Sequence, residues 1–225
     1  MERLAQQLDF PGIAALWQEA FGDPEAEIRQ FFAAFPACIS YVTVDRGQVV
    51  AMAHALPQTL MLKGPAAYLY AVATARTHRG RGLCRSLMAF AEQDLKKRGF
   101  LCCVLSPAEA GLFDYYRSMG YETGFVRQRT AFLGGQPIGI GEYLRRREQL
   151  LNGVHMRCDQ NTLRYAARCY GLQFYETDTG IAAVGTHGPA EVLPEDTRGG
   201  QPNGMVKWLC GTGTEETGYL GFALE

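Results

Sequence analysis

A short segment of glycine and arginine, Arg79-Gly80-Arg81-Gly82, separates an apolar stretch from an amphipathic one. Residues 67–74 predict a buried strand, and residues 83–97 predict a helix because their apolar side chains recur at helical spacing. Gly99 ends the helical pattern. A glycine-rich turn at the start of a helix directs several backbone N–H groups and the positive end of the helix dipole towards one point. The segment therefore predicts an anion site, of the kind that most often binds phosphate.

The stretches around this turn predict a mixed α/β domain with a mixed sheet. Two helices and antiparallel strands come first, and the strand, turn and helix described above follow them. The predicted helices are residues 10–21, 25–35, 83–97 and 110–119, and the predicted strands are residues 38–44, 48–56, 59–62, 67–74, 100–105 and 121–133.

A glycine-rich stretch at residues 134–141 predicts a linker to a smaller second domain. We therefore expect a first domain at residues 1–135 and a second α/β domain at residues 142–225. The second domain has predicted helices at 142–151 and 159–170, predicted strands at 172–176, 181–184, 205–209 and 219–224, and a predicted loop at 189–204.

The composition limits the classes of function. A chain of 225 residues can hold one large domain or an ordinary domain with a smaller one. A hydrophobic content of 47% with 20% charged residues argues against a disordered chain. The net charge of −1 predicts binding neither to nucleic acid nor to an anionic membrane. The first residues lack an apolar leader and no segment has membrane-spanning length, so we expect a cytoplasmic protein.

The seven cysteines are odd in number and form no Cys-x-x-Cys pair. Several lie in apolar surroundings, as Cys102 and Cys103 do. This pattern favours reduced thiols in the core over disulfides, and it predicts no metal site.

Two motifs stand in a fixed order along the chain. Val72-Ala73-Thr74 leads into Arg79-Gly80-Arg81-Gly82-Leu83-Cys84, and Tyr116 follows on a short predicted helix, four residues before Gly120 and Tyr121. The first motif resembles motif A of the GNAT N-acetyltransferase superfamily, in which a strand precedes an (R/Q)xxGx(G/A) turn and a helix. The second is similar to that family's later signature. The resemblance covers roughly residues 1–133.

The resemblance implies the GNAT fold, with acetyl-coenzyme A as the donor cosubstrate and no metal. The backbone of Val72 and Thr74 would pair with the pantetheine arm, and their strand would separate from the next one near Ser106 to open a wedge for the donor. The residues that would hold the pyrophosphate are Arg79, Gly80, Arg81, Gly82, Cys84 and Arg85. The alternative is a glycine turn that packs a helix on a sheet and binds no ligand.

Cys84 departs from the motif, which has Gly or Ala at this position. Its side chain is small and its N–H is unchanged, so we expect pyrophosphate binding to be retained. We interpret the thiol as a helix-packing group, with a redox or acyl-transfer role as the alternative.

Tyr116 is the candidate catalytic residue. Acyl transfer to an amine passes through a tetrahedral oxyanion and expels a thiolate, which a nearby phenol can protonate. The alternative is an amphipathic core tyrosine. The neighbouring Tyr115 would point elsewhere, as a core residue or as a wall of the substrate site.

The sequence does not assign a general base, although the attacking amine must be neutral. Residues 67–74 contain no Asp, Glu or His. The candidates are His54, Glu109 and the terminal carboxylate of Glu225, and His54 fits a core histidine better. His78, just before the turn, fits contact with phosphate or solvent better than the role of a base.

The second half of the chain resembles the C-terminal extension of certain bacterial GNAT proteins. The residues that carry this resemblance are Trp17 with Ala20-Phe21-Gly22-Asp23, Tyr70-Ala71-Val72-Ala73-Thr74 and Met205-Val206-Lys207-Trp208-Leu209. It implies a truncated second GNAT-like lobe that walls the acceptor pocket, forms a homodimer face or serves as a scaffold.

Together, the motifs predict an enzyme that moves an acetyl group from acetyl-coenzyme A to a primary amine, on a small molecule or a peptide, by direct attack. A sensor that binds acyl-coenzyme A without catalysis is the first alternative, and the missing base favours it. A nucleotide-binding protein is a weaker alternative, because the turn lacks the Lys-Ser/Thr pair of a P-loop. The identity of the acceptor stays open.

Overall fold

The computed structural model of the chain describes residues 1–128, 130–194, 200–211 and 218–221. The chain divides into two compact units. The first consists of Met1–Gln58, Pro65–Leu105 and Lys207–Gly213, and the second of Thr59–Gly64, Ser106–Val206 and Thr214–Glu225. The chain thus leaves the first unit after Leu105 and returns to it at Lys207. The predicted division into domains at residues 1–135 and 142–225 stays a prediction.

The first unit is built around a mixed sheet with the strand order β1-β2-β3-β4-β5. The last residues of a further strand, Gln201–Trp208, lie next to β5. β1 pairs antiparallel with β2, β2 pairs antiparallel with β3, and β4 pairs parallel with β5. Its elements are β1 (Glu2–Leu4), α1 (Phe10–Phe21), α2 (Glu25–Ala34), β2 (Ile39–Asp45), β3 (Gln48–Leu60), β4 (Gly64–Thr74), α3 (Leu83–Lys97) and β5 (Cys102–Leu105).

Helices α1 and α3 have the limits that the sequence predicts. Pro11 lies in the first turn of α1, and Gly22 ends it with a φ of 83°. Gly82, with a φ of 75°, precedes α3. Glycine adopts such left-handed conformations without steric cost, so it marks the ends of both helices. The faces turned towards the core carry Ile13, Ala14, Leu16 and Trp17 on α1, and Leu87, Met88, Ala91 and Leu95 on α3.

The prediction of separate strands at residues 48–56 and 59–62 is wrong. A single strand, β3, runs through Pro57 to Leu60, and residues 61 and 62 lie in a turn. Proline lacks the N–H that a ladder needs, and for this reason it predicts a strand end. Here Pro57 is exposed, and the strand continues to Leu60. The three-residue strand β1 had no sequence signal.

The second unit contains two groups of strands. β6 pairs antiparallel with residues 201–206 of β11. A separate antiparallel sheet has the order β10-β9-β8-β7. The elements are α4 (Ala110–Arg117), β6 (Glu122–Arg127), β7 (Gln136–Pro137), α5 (Ile140–Leu150), α6 (Gln160–Tyr170), β8 (Gln173–Glu176), β9 (Ile181–Gly185), β10 (Gly188–Leu193) and β11 (Gln201–Trp208).

The predicted loop at residues 189–204 is wrong at residues 189–193, which lie in β10, and at residues 201–204, which lie in β11. Residues 195–199 lie outside the described part of the chain. Its glycines, prolines and acidic residues are typical of loops. Long-range pairing overrides that local preference. The predicted strand at residues 219–224 is represented by an isolated bridge between Tyr219 and His155, and residues 222–225 lie outside the described part of the chain.

A charged pair lies in the core of the second unit. Arg147 on α5 and Glu191 on β10 are each 1% exposed, and the Arg147 Nε lies 3.1 Å from a Glu191 carboxylate oxygen. Tyr143 and Tyr219 donate their hydroxyls to the same carboxylate. A buried charge is costly without such partners. The four side chains therefore form one interdependent cluster.

The parallel and antiparallel pairs confirm the predicted mixed α/β class. Among the described residues, no helix is both long and apolar enough to cross a membrane. Nor do the described His, Cys, Asp and Glu side chains form a group of three or more that could hold a metal ion. All seven cysteines are free thiols, and Cys102, Cys103 and Cys158 are buried.

Candidate functional site

Strand β4 loses its neighbour β5 halfway along its length. The parallel pairs are Ala66 with Cys102, Ala67 with Cys103 and Tyr68 with Val104. β5 ends at Leu105, whereas β4 continues to Thr74. Residues 69–74 therefore extend past the last pair with β5, and an extended ligand can use backbone groups on this edge.

Ala71, in the middle of residues 69–74, has a φ of 47°. The left-handed region disfavours residues with a Cβ, and occupying it costs about 1–3 kcal/mol. A residue held in this conformation turns the backbone groups on either side of it away from the regular strand pattern. Alanine gives no sequence signal for such a conformation.

The phosphate turn, residues 79–82, follows β4 after a short 3₁₀ turn at Arg76–His78. Gly80 and Gly82 each have a φ of 75°, and a Cβ on either would meet no atom within 4 Å. Glycine is therefore required here by backbone conformation and not by lack of space. Helix α3 begins without a side-chain cap, and the N-terminal end of a helix can donate N–H groups to a bound anion.

Arginine side chains surround this turn. The Arg79 Nε donates to the Thr74 carbonyl at 3.1 Å, and the Arg81 Nη2 donates to the Thr77 carbonyl at 3.2 Å. Both arginines and Arg85 are exposed. These bonds keep two guanidinium groups beside the turn, where their charge adds to that of the helix N-terminus.

Thr74 adds a polar group at the end of β4. Its Oγ1 is buried and has no hydrogen-bond partner in the described part of the chain. A buried hydroxyl without a partner is unfavourable unless a ligand or water satisfies it. The edge of β4 at residues 69–74, this hydroxyl and the cationic turn fit a ligand with an amide-bearing arm and a pyrophosphate.

Three contacts that sequence reasoning missed hold the approach to the turn. The Ala75 N–H donates to the Val50 carbonyl at 2.9 Å, and the Arg76 N–H donates to Glu19 Oε1 at 2.7 Å. His78 Nε2 lies 3.4 Å from Asp45 Oδ2. These partners are 25 to 57 residues apart in sequence, so no local pattern signals them.

His54 is fully buried beneath α1 and α2. Its Nδ1 lies 2.8 Å from Ser40 Oγ, and its ring lies 5.1 Å from that of Trp17 and 5.3 Å from that of Phe32. Burial lowers the pKa of His54 to about 3, so the ring is neutral at physiological pH. This environment fits the core-histidine interpretation.

The other candidate bases give no clearer assignment. Glu109 is exposed just before α4, and His78 faces Asp45 near the turn. Glu225 lies outside the described residues.

Tyr116 and Ser106 belong to the second unit. Tyr116 is 8% exposed and packs edge-on against the rings of Tyr115 and Tyr121, at 5.5 and 5.8 Å. Tyr115 is 38% exposed, so it does not belong to the core. The Ser106 hydroxyl donates to the Asn203 carbonyl at 2.7 Å. The first unit brings Val72, Thr74 and the phosphate turn together, and the roles predicted for Tyr116 and Ser106 stay predictions.

The comparison with protein families covers both motifs. Residues 2–124, more than half of the chain, match the model of the acetyltransferase (GNAT) domain. The chain belongs to the GNAT acetyltransferase family. The match includes the phosphate turn, Ser106 and Tyr116, so the candidate donor site lies within the GNAT region.

Two solved structures of other proteins share the fold. A probable N-acyltransferase from Enterococcus faecalis has 17% identity and a TM-score of 0.62, over 86% of this chain and 55% of that one. A GCN5-related N-acetyltransferase from Kribbella flavida has 19% identity and a TM-score of 0.59, over 82% of this chain and 54% of that one. The chain thus spans little more than half the length of these two proteins. None of the curated proteins matches the sequence.

The general chemistry of the GNAT family is acyl transfer from an acyl-coenzyme A. The matched region ends at residue 124, so the family model itself does not cover α5, α6 or the four-stranded sheet.

Proposed function

We propose that the protein transfers an acetyl group from acetyl-coenzyme A to a primary amine by direct attack. The observation that carries this proposal is the edge of β4 at residues 69–74, which extends past the last pair with β5 and is followed by a short 3₁₀ turn and the phosphate turn within one compact unit. An extended edge followed by a cationic helix N-terminus suits a donor that has an amide-containing arm and a pyrophosphate. Membership of the GNAT family supports the same donor class.

On the donor side, Val72 and Thr74 would pair with the pantetheine arm. The N–H groups of the turn and the first turn of α3 would bind the pyrophosphate. The residues involved are Arg79, Gly80, Arg81, Gly82, Cys84 and Arg85, with Ser106 at the rim. Thr74 Oγ1, which lacks a partner among the described residues, would gain a hydrogen bond.

On the chemical side, Tyr116 would act as a general acid. The amine nitrogen forms a bond to the acetyl carbon, and the bond between that carbon and sulfur breaks. The Tyr116 hydroxyl gives its proton to the departing sulfur, and the proton lost by the nitrogen returns through water to the phenolate. The acceptor is a small molecule or a peptide with a primary amine.

The second half of the chain would serve the acceptor. We assign residues 1–135 to the GNAT domain and residues 142–225 to a lobe that walls the acceptor pocket or forms a homodimer face. This division and the cytoplasmic location are both part of the proposal.

The alternative is a sensor that binds acyl-coenzyme A without transferring the acyl group. One observation favours it. Residues 69–74 of β4 carry no acid or histidine, and the neighbouring His54 is buried with its pKa lowered to about 3. Such a ring is a poor acceptor for a proton from the amine at neutral pH.

Calorimetry with the purified full chain tests the donor site. We expect coenzyme A and acetyl-coenzyme A to bind with 1:1 stoichiometry, and Arg81→Ala to bind them more weakly. Arg164→Ala, on the exposed face of α6, is the matched control. If the wild-type chain binds neither compound, the proposal is wrong.

Release of free thiol in the presence of a panel of primary amines then separates enzyme from sensor. Amine-dependent release supports the transferase. Donor binding with no release for any peptide, polyamine or amino sugar in the panel supports the sensor.

A further inference from the structure

Glu19 on α1 holds the segment that leads into the phosphate turn. Its Oε1 accepts the backbone N–H of Arg76 at 2.7 Å, and its own carbonyl accepts the Arg76 Nη2 at 3.5 Å. Arg76 begins the 3₁₀ turn that sets the direction of the chain before residues 79–82. One residue of α1 therefore contacts both the backbone and the side chain of the residue at which the loop begins.

The other contacts of residues 75–82, the loop between β4 and α3, are of several kinds. The bonds from Arg79 to Thr74 and from Arg81 to Thr77 are local, so they shape the loop without fixing it to the rest of the unit. The contact between His78 and Asp45 is an ion pair only when the histidine is protonated. The bond from the Ala75 N–H to the Val50 carbonyl of β3 fixes the residue before the 3₁₀ turn, and the bond from the Arg76 N–H to Glu19 fixes the first residue of that turn. Both come from other elements, and neither depends on that protonation.

Helix α1 also contacts β4 near the start of residues 69–74. The Trp17 ring lies 5.8 Å from that of Tyr70, which stands two residues after the last pair with β5. The helix packs closely on β3, since a Cβ at Gly12 would lie 2.9 Å from Val49 Cγ2. Where β5 no longer supports β4, α1 thus contacts β4 at Tyr70 and the loop after β4 at Arg76.

A cavity of about 430 Å³ lies beside the contact between α1 and the loop that follows β4. Leu16 and Glu19 of α1, Val49 of β3, and Thr77 and His78 of the loop are among the residues that line it. The loop is therefore not packed against a continuous core on this side. Its position depends on a few discrete hydrogen bonds, and the bond to Glu19 is the shortest of those described from Ala75 to Gly82.

We infer that Glu19 is a positioning residue for the donor, and that it holds the phosphate turn ready to bind pyrophosphate. The inference rests on the proposed function, in which this turn binds coenzyme A. Loss of the bond leaves the turn to be ordered by the ligand, so part of the binding free energy is spent on ordering the loop. Glu19 itself need not touch the donor.

Three variants test this role. Glu19→Ala removes the acceptor of the Arg76 N–H, and Glu19→Gln keeps an oxygen that can accept it. Gln18→Ala changes the adjacent exposed side chain and is the matched control. By calorimetry we expect Glu19→Ala to bind coenzyme A roughly three- to tenfold more weakly, the effect of one hydrogen bond. We expect the other two variants to stay within about twofold of the wild type.

Steady-state kinetics should show the same division. In Glu19→Ala we expect the KM for acetyl-coenzyme A to rise, with kcat and the KM for the acceptor unchanged. General damage to the fold would lower kcat and shift both KM values.

Hydrogen exchange of the unliganded chain gives a readout that needs no donor. Amides 76–82 should exchange faster in Glu19→Ala than in the wild type, and at the wild-type rate in Glu19→Gln. If Glu19→Ala matches the wild type in exchange, or Glu19→Gln exchanges as fast as Glu19→Ala, the inference is wrong. A wild-type chain that binds no coenzyme A, with exchange as expected, would instead refute the proposed function.

Discussion

Tyr68 on β4 forms the last pair with β5, through Val104, and β4 then continues to Thr74 whereas β5 ends at Leu105. Ending a parallel ladder leaves backbone donors and acceptors that other groups must satisfy. A strained alanine at position 71 lies within the same stretch. Proteins retain such local costs mainly where they serve function, and here the exposed edge ends at a cationic turn. The extension of β4 past its last pair with β5 is therefore the central feature of the candidate donor site.

The conformation of Gly82 leads to the first prediction. Gly82→Ala places a Cβ on a residue with a φ of 75°, which costs about 1–2 kcal/mol or forces the turn to change. We expect coenzyme A to bind roughly tenfold more weakly by calorimetry. Gly111→Ala is a control, because a Cβ there also meets no atom within 4 Å and its φ is not in the left-handed region. Equal donor affinity in the wild type and Gly82→Ala would contradict the prediction.

The second prediction concerns Tyr116. Tyr116→Phe removes the hydroxyl but keeps the ring that packs against Tyr115 and Tyr121. We expect kcat to fall by about 10²–10⁴-fold, the usual contribution of a general acid, with donor affinity unchanged. Tyr115→Phe should keep wild-type turnover. The proposed role fails if Tyr116→Phe turns over an identified acceptor at the wild-type rate.

The third prediction is a pH dependence that originates at His54. Burial lowers its folded-state pKa from 6.5 to about 3. Below pH 6.5 the unfolded chain binds a proton that the folded chain does not, so stability is complete above this pH and falls as the pH drops towards 3. The loss at pH 5 is about 2 kcal/mol.

Urea unfolding between pH 7.5 and 4.5 measures this effect. Trp17 and Trp208 both lie in the first unit, so their fluorescence reports on its unfolding. We expect His54→Gln to lose much of the decrease in stability towards acid pH, and His187→Gln, at an exposed position, to retain it. Parallel stability curves for the wild type and His54→Gln would show that His54 is not the origin.

The fourth prediction concerns the buried pair in the second unit. Glu191→Ala leaves the Arg147 guanidinium buried without its closest counter-charge, and we expect a loss of about 3–5 kcal/mol in calorimetric unfolding. Tyr143→Phe keeps the pair and removes one hydrogen bond, so it should cost about 1–3 kcal/mol. An unfolding temperature in Glu191→Ala equal to that of the wild type would count against this account. Replacing both charges, as in the double variant Arg147→Met with Glu191→Leu, should restore much of the loss.

Sequence patterns predict those parts of the fold that local residues determine. Helices α1 and α3 begin and end as predicted because prolines and glycines mark their limits and their apolar faces are regular. The glycine turn was predictable for the same reason, since its conformation depends on residues within it.

Features that depend on distant partners were not predictable from the residues alone. Glu191 looks like a loop residue, and only its distant partners explain why it lies in a buried strand. Among them is Arg147, 44 residues away. Glu19 looks like an ordinary exposed residue of an amphipathic helix, and its partner Arg76 is 57 residues away. No pattern in the sequence around Ala71 indicates its φ of 47°.

The return of the chain at Lys207 has a consequence for synthesis. The Lys207 ammonium bonds the Glu92 carboxylate of α3, and the Leu209 N–H donates to the Leu101 carbonyl next to β5. About a hundred residues separate Leu105 from this segment, so a ribosome that adds about 5–20 residues per second needs roughly 5–20 s to supply it. Until residues 207–209 are made, the outer edge of β5 in the nascent chain is open to chaperones or to wrong partners, and the first unit cannot complete its folding.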